Sequence, residues 1–234
     1  MRDLVKHYAG YYGDPVLREW RDLGGREKAF NIVSLWGRPE LPQRVAEIGF
    51  GEGAVLAHLD RSGFGNSFTG FEVSSSAVQA ASQRQFCHPI RFVKFDGRRI
   101  PARDDEFDLA ILSHVLEHVA EPRVLLEEAA RIAPAVFVEV PTELHARTPK
   151  HFVWTDVGHI NLYSPLVIRH LVESCGLRVV AERVTQPSRE TCSFHTGAAR
   201  GTAKWLVKSV ALKARIGTRM FTYHSCLLAV RGAQ

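Results

Sequence analysis

The chain has 234 residues, 45% hydrophobic and 24% charged, values ordinary for a folded globular protein. That length suits one well-buried domain with additions and is short for two. Nothing approaches the ~18 consecutive apolar residues of a membrane-spanning helix, and the first residues lack the apolar core of a secretion signal. Cys87, Cys175, Cys192 and Cys226 are scattered, without metal-binding spacing, so reduced thiols in a cytoplasmic protein are expected. The net charge of +5 is uneven. Residues 191–234 carry seven cations and no acid, whereas residues 1–190 carry 23 cations and 25 acids.

Residues 1–43 read as a helical lead-in. Tyr8, Tyr11 and Tyr12 precede a Gly-Asp-Pro turn, one helix follows with Val16, Leu17, Trp20 and Leu23 on one side, and a second is predicted from Glu27 to Trp36. A regular pattern then begins. Strands are expected at Arg44–Ile48, Ser67–Glu72, Ile90–Phe95, Phe107–Ser113 and Ala135–Val140. Helices are expected after the glycines to Leu59, over Ser74–Gln85 and over Pro122–Ile132. A long loop, about Thr142–Tyr163, precedes a helix from Ser164-Pro165 to Cys175. Two further strands are predicted at Leu177–Val184 and Tyr223–Val230. Strands alternating with helices imply an α/β fold with a doubly wound, mostly parallel sheet. The organisation expected is a single domain over 1–234, with the lead-in as a lid, a core at 44–184 and a basic helical insertion at 186–222.

Glu47-Ile-Gly49-Phe-Gly51-Glu-Gly53-Ala54 puts alternating glycines directly after a strand. Glycines let the backbone turn sharply and approach a ligand closely, and the next helix offers free N–H groups. That loop alone fits a dinucleotide as well as S-adenosylmethionine. Three acids favour the latter. Glu47, just before the loop, would repel a pyrophosphate but suits an ammonium group. Glu72 ends the second strand, where a carboxylate can accept ribose hydroxyls, and Asp96-Gly97 follows the third, where one can take an adenine amino group.

With these residues the sequence resembles the class I S-adenosylmethionine-dependent methyltransferases, in particular the ubiquinone-biosynthesis-like branch of small-molecule enzymes. AEIGFGEG, FTGFEVS, VKFDGRRIP, FDLAILSHVLEHV, FVEVPTE and GHINLYSPLVIRHLVESCGL carry the resemblance. It implies a Rossmann-like sheet of seven strands with the last antiparallel. It also implies that Glu47, Gly49, Gly51 and Gly53 hold the methionine end, Glu72 the ribose and Asp96 with Gly97 the adenine, while His114 lies along the cofactor.

Methyl transfer from a sulfonium needs chiefly alignment and, for some acceptors, a base. His159 and His118 are the candidate catalytic residues. Tyr11, Tyr12, Glu143, His145 and Trp154 are candidates for the acceptor site, and the aromatic lead-in could exclude water. In some ubiquinone O-methyltransferases the stretch matching His114-Val-Leu-Glu117-His118 reads Glu-x-x-Glu-His and binds a divalent metal. His114 departs from that pattern, and no metal ligand is assigned.

On a helical wheel Lys204, Lys208, Arg215 and Arg219 form one stripe, with Trp205, Leu206, Val210, Leu212 and Ile216 around the rest. Such a helix can lie on an anionic membrane, guide an acidic substrate or pack on the sheet with its lysines in water, so residues 200–219 are a candidate contact surface. No RNA-binding module is visible, so nucleic acid is not the expected partner. The reading favoured is transfer of a methyl group to a small molecule, such as a secondary metabolite or a glycan or lipid precursor. The alternatives are an RNA methyltransferase using the basic segment, a nicotinamide-cofactor dehydrogenase, and a cofactor-binding protein with a degenerate methyltransferase fold.

Overall fold

The computed structural model describes residues 15–151 and 158–232. It begins with α1 (Pro15–Trp36) and continues through β1 (Arg44–Ile48), α2 (Ala54–Arg61), β2 (Ser67–Glu72), α3 (Ser75–Ser82) and β3 (Ile90–Lys94). Then come β4 (Leu109–Ser113), α4 (Pro122–Ile132), β5 (Ala135–Pro141), α5 (Pro165–Glu173) and β6 (Leu177–Thr185). Between β6 and β7 (His224–Arg231) lie α6 (Arg189–Phe194), α7 (Ala198–Lys213) and α8 (Gly217–Met220). Serine caps start three of the described helices: Ser74 accepts from the Ala77 N–H, Ser164, followed by Pro165, from the Val167 N–H, and Ser188 from the Thr191 N–H.

The seven strands form one sheet in the order β3-β2-β1-β4-β5-β7-β6. β1 to β5 pair in parallel, and β7 runs antiparallel to both β5 and β6. Every residue of β4 and β5 is buried, as their largely apolar runs require of central strands, with Glu139 the charged exception in β5. Alternate residues feed two cores. Ala46, Ile48, Leu112 and Val138 pack with Leu126 of α4 and Ile168 of α5. Val45, Ile111, Phe137 and Leu228 pack with Ile32 and Trp36 of α1 and Leu56 and Leu59 of α2. Strand order reverses between β1 and β4, so their carboxyl ends open a crevice of the kind that holds ligands in open α/β sheets.

Two expectations are corrected. The lead-in helices are one helix of 22 residues that runs through Gly24-Gly25. Glycine inside a helix costs roughly 0.5–1 kcal/mol, but at Gly25 it serves packing. A Cβ there would lie 2.6 Å from the Ala54 Cβ, so only glycine lets α1 rest against the start of α2. The second correction concerns α7. Its lysines do not all face water: Lys208 is buried, with its Nζ 4.9 Å from the Tyr223 ring centroid, and Tyr223 donates its hydroxyl hydrogen to the Lys208 carbonyl at 2.7 Å. Leu206, Val207, Val210 and Ile216 are exposed instead. α7 carries apolar side chains on every side, so its composition does not select the buried face; the contact with Tyr223 does.

Candidate active site

The crevice is a cavity of about 480 Å³ lined by α1, the glycine loop, the ends of β2, β4 and β5, and the start of β7. Gly49, Gly51 and Gly53 all have positive φ, at 73°, 56° and 75°. This is the left-handed region that other residues enter at a cost of about 1–2 kcal/mol. Gly49 is doubly constrained, because a Cβ would meet Val115 Cγ2 at 2.6 Å. Gly49→Ala is therefore expected to lower stability by about 2–5 kcal/mol, the sum of that backbone strain and of overpacking. Thermal unfolding would test this, and an unchanged midpoint would show that Val115 yields without cost.

Carboxylates surround the loop. Glu72 holds it from β2: its Oε2 accepts the Gly51 N–H at 2.9 Å, and its Oε1 accepts Val73 N–H at 2.8 Å and Ser74 N–H at 3.0 Å. Burial raises the Glu72 carboxyl, and those N–H groups oppose the shift. Glu52 receives Arg21 from α1 at 2.9 Å and Arg84 at 2.6 Å, which pins the loop to the lead-in helix. Glu47 is different. It is only 2% exposed, and its Oε2 is buried with no hydrogen-bond partner among the described residues. Burial pushes its carboxyl up to about 8, against the pull of Lys28.

Gly97 lines the cavity, but Asp96 is exposed and is not among the lining residues. Its Oδ1 accepts the Arg98 and Arg99 N–H groups at 2.8 and 2.9 Å, which holds the carboxyl below its ordinary value. Asp96 thus shapes the turn that brings Gly97 to the cavity.

Histidines and glutamates gather at the far end. His114 has a φ of 56°, a left-handed conformation for a non-glycine residue, and its N–H bonds to the Glu139 carbonyl at 2.8 Å. Its Nδ1 is 3.2 Å from Glu117 Oε1, and burial drives the ring well below the ordinary histidine value. Glu117 is fully buried, and neither carboxyl oxygen has a hydrogen-bond partner among the described residues. His118 contacts the Gly158 carbonyl at 3.3 Å and packs edge-on against His159, with ring centroids 4.8 Å apart. His159 Nδ1 bonds Glu143 Oε2 at 2.7 Å. Burial works against the charged ring, but Glu143 outweighs it and raises His159 above its ordinary value.

His118 and His159 both line the cavity, and Glu143 reaches it through His159. His145 does not: its Nε2 faces Thr222 Oγ1 at 3.3 Å, which directs it to the turn before β7. Tyr11, Tyr12 and Trp154 lie outside the described residues.

Sequence reasoning missed Glu139 and His224. Glu139 is fully buried; Asn31 donates to its Oε1 at 3.0 Å, and the Ser113 hydroxyl donates to its Oε2 at 3.0 Å. Burial alone would raise its carboxyl, but His224, 3.4 Å away, and His114 bring it down to about 2. Lys28 and Arg21, also lining residues, come from α1. The Ser-Pro helix start and the glycine loop have sequence signatures. A glutamate inside an apolar strand and a histidine at the start of a distant one have none.

Comparisons with known proteins agree with this arrangement. Residues 17–182 match the family described as methyltransferase domain. An uncharacterised methyltransferase of Mycobacterium bovis is 29% identical over 123 residues, 51% of this chain and 47% of its own length. One from Mycolicibacterium gilvum is 31% identical over 88 residues, 38% and 34% of the two chains. The matched segment thus spans about half the length of the first of these relatives.

Among solved structures, a chain of the Haloferax volcanii complex between the Trm112 methyltransferase activator and a methyltransferase superposes with a TM-score of 0.67 at 19% identity, covering 100% of both chains. The cyclase SpnF gives 0.64 at 19% identity, over 90% of this chain and 82% of its own. Haemonchus contortus phosphoethanolamine N-methyltransferase 2, solved with S-adenosyl-L-methionine, gives 0.61 at 15% identity, over 88% and 53%. At such identities the structures establish the fold alone. The family match goes further: the chain belongs to the methyltransferase-domain family.

Proposed function

We propose that the cavity takes S-adenosylmethionine along the glycine loop and methylates a small molecule admitted beside His114, His118 and His159. The observation that carries this reading is Glu47, a buried carboxylate with an unpartnered oxygen at the end of β1. A pyrophosphate offers that oxygen no donor and would oppose ionisation of Glu47, whereas the ammonium of a methionine moiety would donate to it and favour its charged form. Gly49 and Gly51 leave room for the ligand's backbone-like end, Glu72 would take the ribose, Gly97 would face the adenine, and His114 would flank the sulfur end.

S-adenosylmethionine supplies an electrophilic methyl group, so the chain's own tasks are alignment, exclusion of water and proton removal. Glu143 orients His159 through its Nδ1, and His159 accepts the acceptor's proton as the methyl bond forms. His118 packs against that ring and holds it in place. The substrate class is inferred from the cavity, which is walled by Trp20 of α1 and by Pro187 and Thr191 before and within α6. The unpaired thiols favour a cytoplasmic setting. None of the described helices is long and apolar enough to cross a membrane. The exposed apolar side chains of α7, beside Lys204 and Lys213, favour peripheral contact with an anionic membrane over RNA binding.

Calorimetry with S-adenosylmethionine, S-adenosylhomocysteine and NAD tests the pocket; binding of NAD alone would overturn the reading. Protons offer a finer measure. Glu47 is protonated below about pH 8 without ligand, and an ammonium partner favours its charged form. Binding therefore releases a proton, and affinity for S-adenosylhomocysteine should rise with pH from about 6 to 7.5, below the range where an α-amino group deprotonates. Glu47→Gln should flatten that slope, and a slope that survives the change would remove Glu47 from the ammonium site.

A further inference from the structure

We propose that His114, Glu139 and His224 form a binding site for one divalent transition-metal ion of the zinc class, opening on the acceptor side of the cavity. Three separate strands supply the ligands: His114 follows β4, Glu139 lies in β5 and His224 begins β7. Glu139 Oε1 is 3.4 Å from His224 Nδ1 and 3.9 Å from His114 Nε2, and one donor atom from each residue lies within 4.8 Å of the others. Ligands bound tetrahedrally at about 2.0–2.1 Å sit about 3.4 Å apart. A small inward movement would therefore complete the site.

The surrounding groups are those a metal site needs. His114 Nε2 is buried without a hydrogen-bond partner, while the opposite ring atom, Nδ1, is 3.2 Å from Glu117 Oε1. Turned into a hydrogen bond, that contact would fix the tautomer of a ligating imidazole and orient its ring. Asn31 and Ser113 hold the Glu139 carboxylate in place, each at 3.0 Å. The two imidazole rings stand at 88° with centroids 4.8 Å apart. Two imidazoles and one carboxylate favour zinc, cobalt or nickel over magnesium or calcium. His114 and His224 also line the cavity. The fourth position would thus face the acceptor, where a hydroxyl, phenol or amine could bind.

A second group of potential ligands, Glu117, His118 and His159, also lies within 4.8 Å. Its His159 is the base proposed above: with Nδ1 bonded to Glu143 at 2.7 Å, a cation on that ring would take the Nε2 lone pair that accepts the proton. Glu117 serves better behind His114. Lys28 lies near enough to act on both His114 and Glu139, and its flexible stem would have to turn aside for a cation to enter.

His114 is shared with the methyl-donor reading above, so the test acts on Glu139 and His224, to which no donor contact is assigned. The full chain, stripped with chelator, is titrated with Co²⁺ and followed by visible absorption and calorimetry, with Zn²⁺ as competitor. One equivalent should bind, with a spectrum lacking the intense thiolate band that Cys226 would add. Glu139→Gln and His224→Asn should each weaken Co²⁺ binding by more than about 100-fold, exceeding the about 10–100-fold typical of outer-shell changes. Lys28→Met should tighten it. Retained S-adenosylhomocysteine binding would show that the variants are folded; should either misfold, Ser113→Ala, expected to weaken Co²⁺ binding about tenfold, serves in its place. Failure of the wild-type chain to bind Co²⁺, unchanged affinity in the variants, or loss of binding on His159→Asn but not on His224→Asn would overturn the proposal.

Discussion

Glu72→Ala is expected to weaken S-adenosylhomocysteine binding by about 100-fold, the largest single loss among the donor-side residues. Two effects combine. The substitution removes an acceptor for ribose, worth about 1.5–3 kcal/mol for a charged hydrogen bond. It also strips the Gly51, Val73 and Ser74 N–H groups of their shared carboxylate, so the glycine loop loses its preorganised shape. Glu72→Gln keeps one acceptor oxygen and should recover part of the loss. Calorimetry on both variants separates the contributions. An Ala variant that binds as the wild type would exclude Glu72 from the ribose site, and equal losses in Ala and Gln would show that charge, not loop shape, dominates.

His159→Ala should reduce methyl transfer by about 10²–10⁴-fold, the range for a positioned general base. Transfer of radiolabelled methyl groups into the small-molecule fraction of a cell extract would measure this. The pH dependence gives an independent check, because only neutral His159 can accept a proton. Glu143 raises His159 above its ordinary value, so the acid limb of the rate profile should lie above the usual histidine range. Glu143→Gln removes the partner, and both the limb and the ring-proton NMR titration of His159 should then move to lower pH. The same pair adds stability that is present at low pH and lost as pH rises through the folded-state titration of His159. If Glu143→Gln leaves the His159 titration in place, the 2.7 Å contact does not govern the base.

The donor half of the cavity was readable because its parts are local. A strand, a glycine turn, a helix start and the acids at strand ends are close in sequence, and each has a backbone or charge reason to be there. Asp96 shows the limit: the same Asp-Gly pair that marks a ligand turn also makes an ordinary one, and its carboxylate bonds Arg98 and Arg99. The acceptor half depends on pairing across long separations. Glu139 sits opposite Cys226, and Pro141 opposite His224, only because β7 inserts beside β5. Gly24-Gly25 was misread for a related reason, since helix propensity cannot register a contact with Ala54. α7 was misread because its apolar residues favour no single face.

The position of β7 has a consequence for the newly made chain. Synthesis delivers β1 to β6 first, yet β6 has no partner in the sheet except β7. Until that strand leaves the ribosome, β5 has an open edge of unpaired backbone groups, and β6 with the three helices after it has nowhere to dock. The glycine loop and its acids are already complete at that stage. A nascent molecule could therefore bind the methyl donor before the β7 side of the cavity, with His224, is in place, and donor binding could steady the half-built sheet while translation finishes.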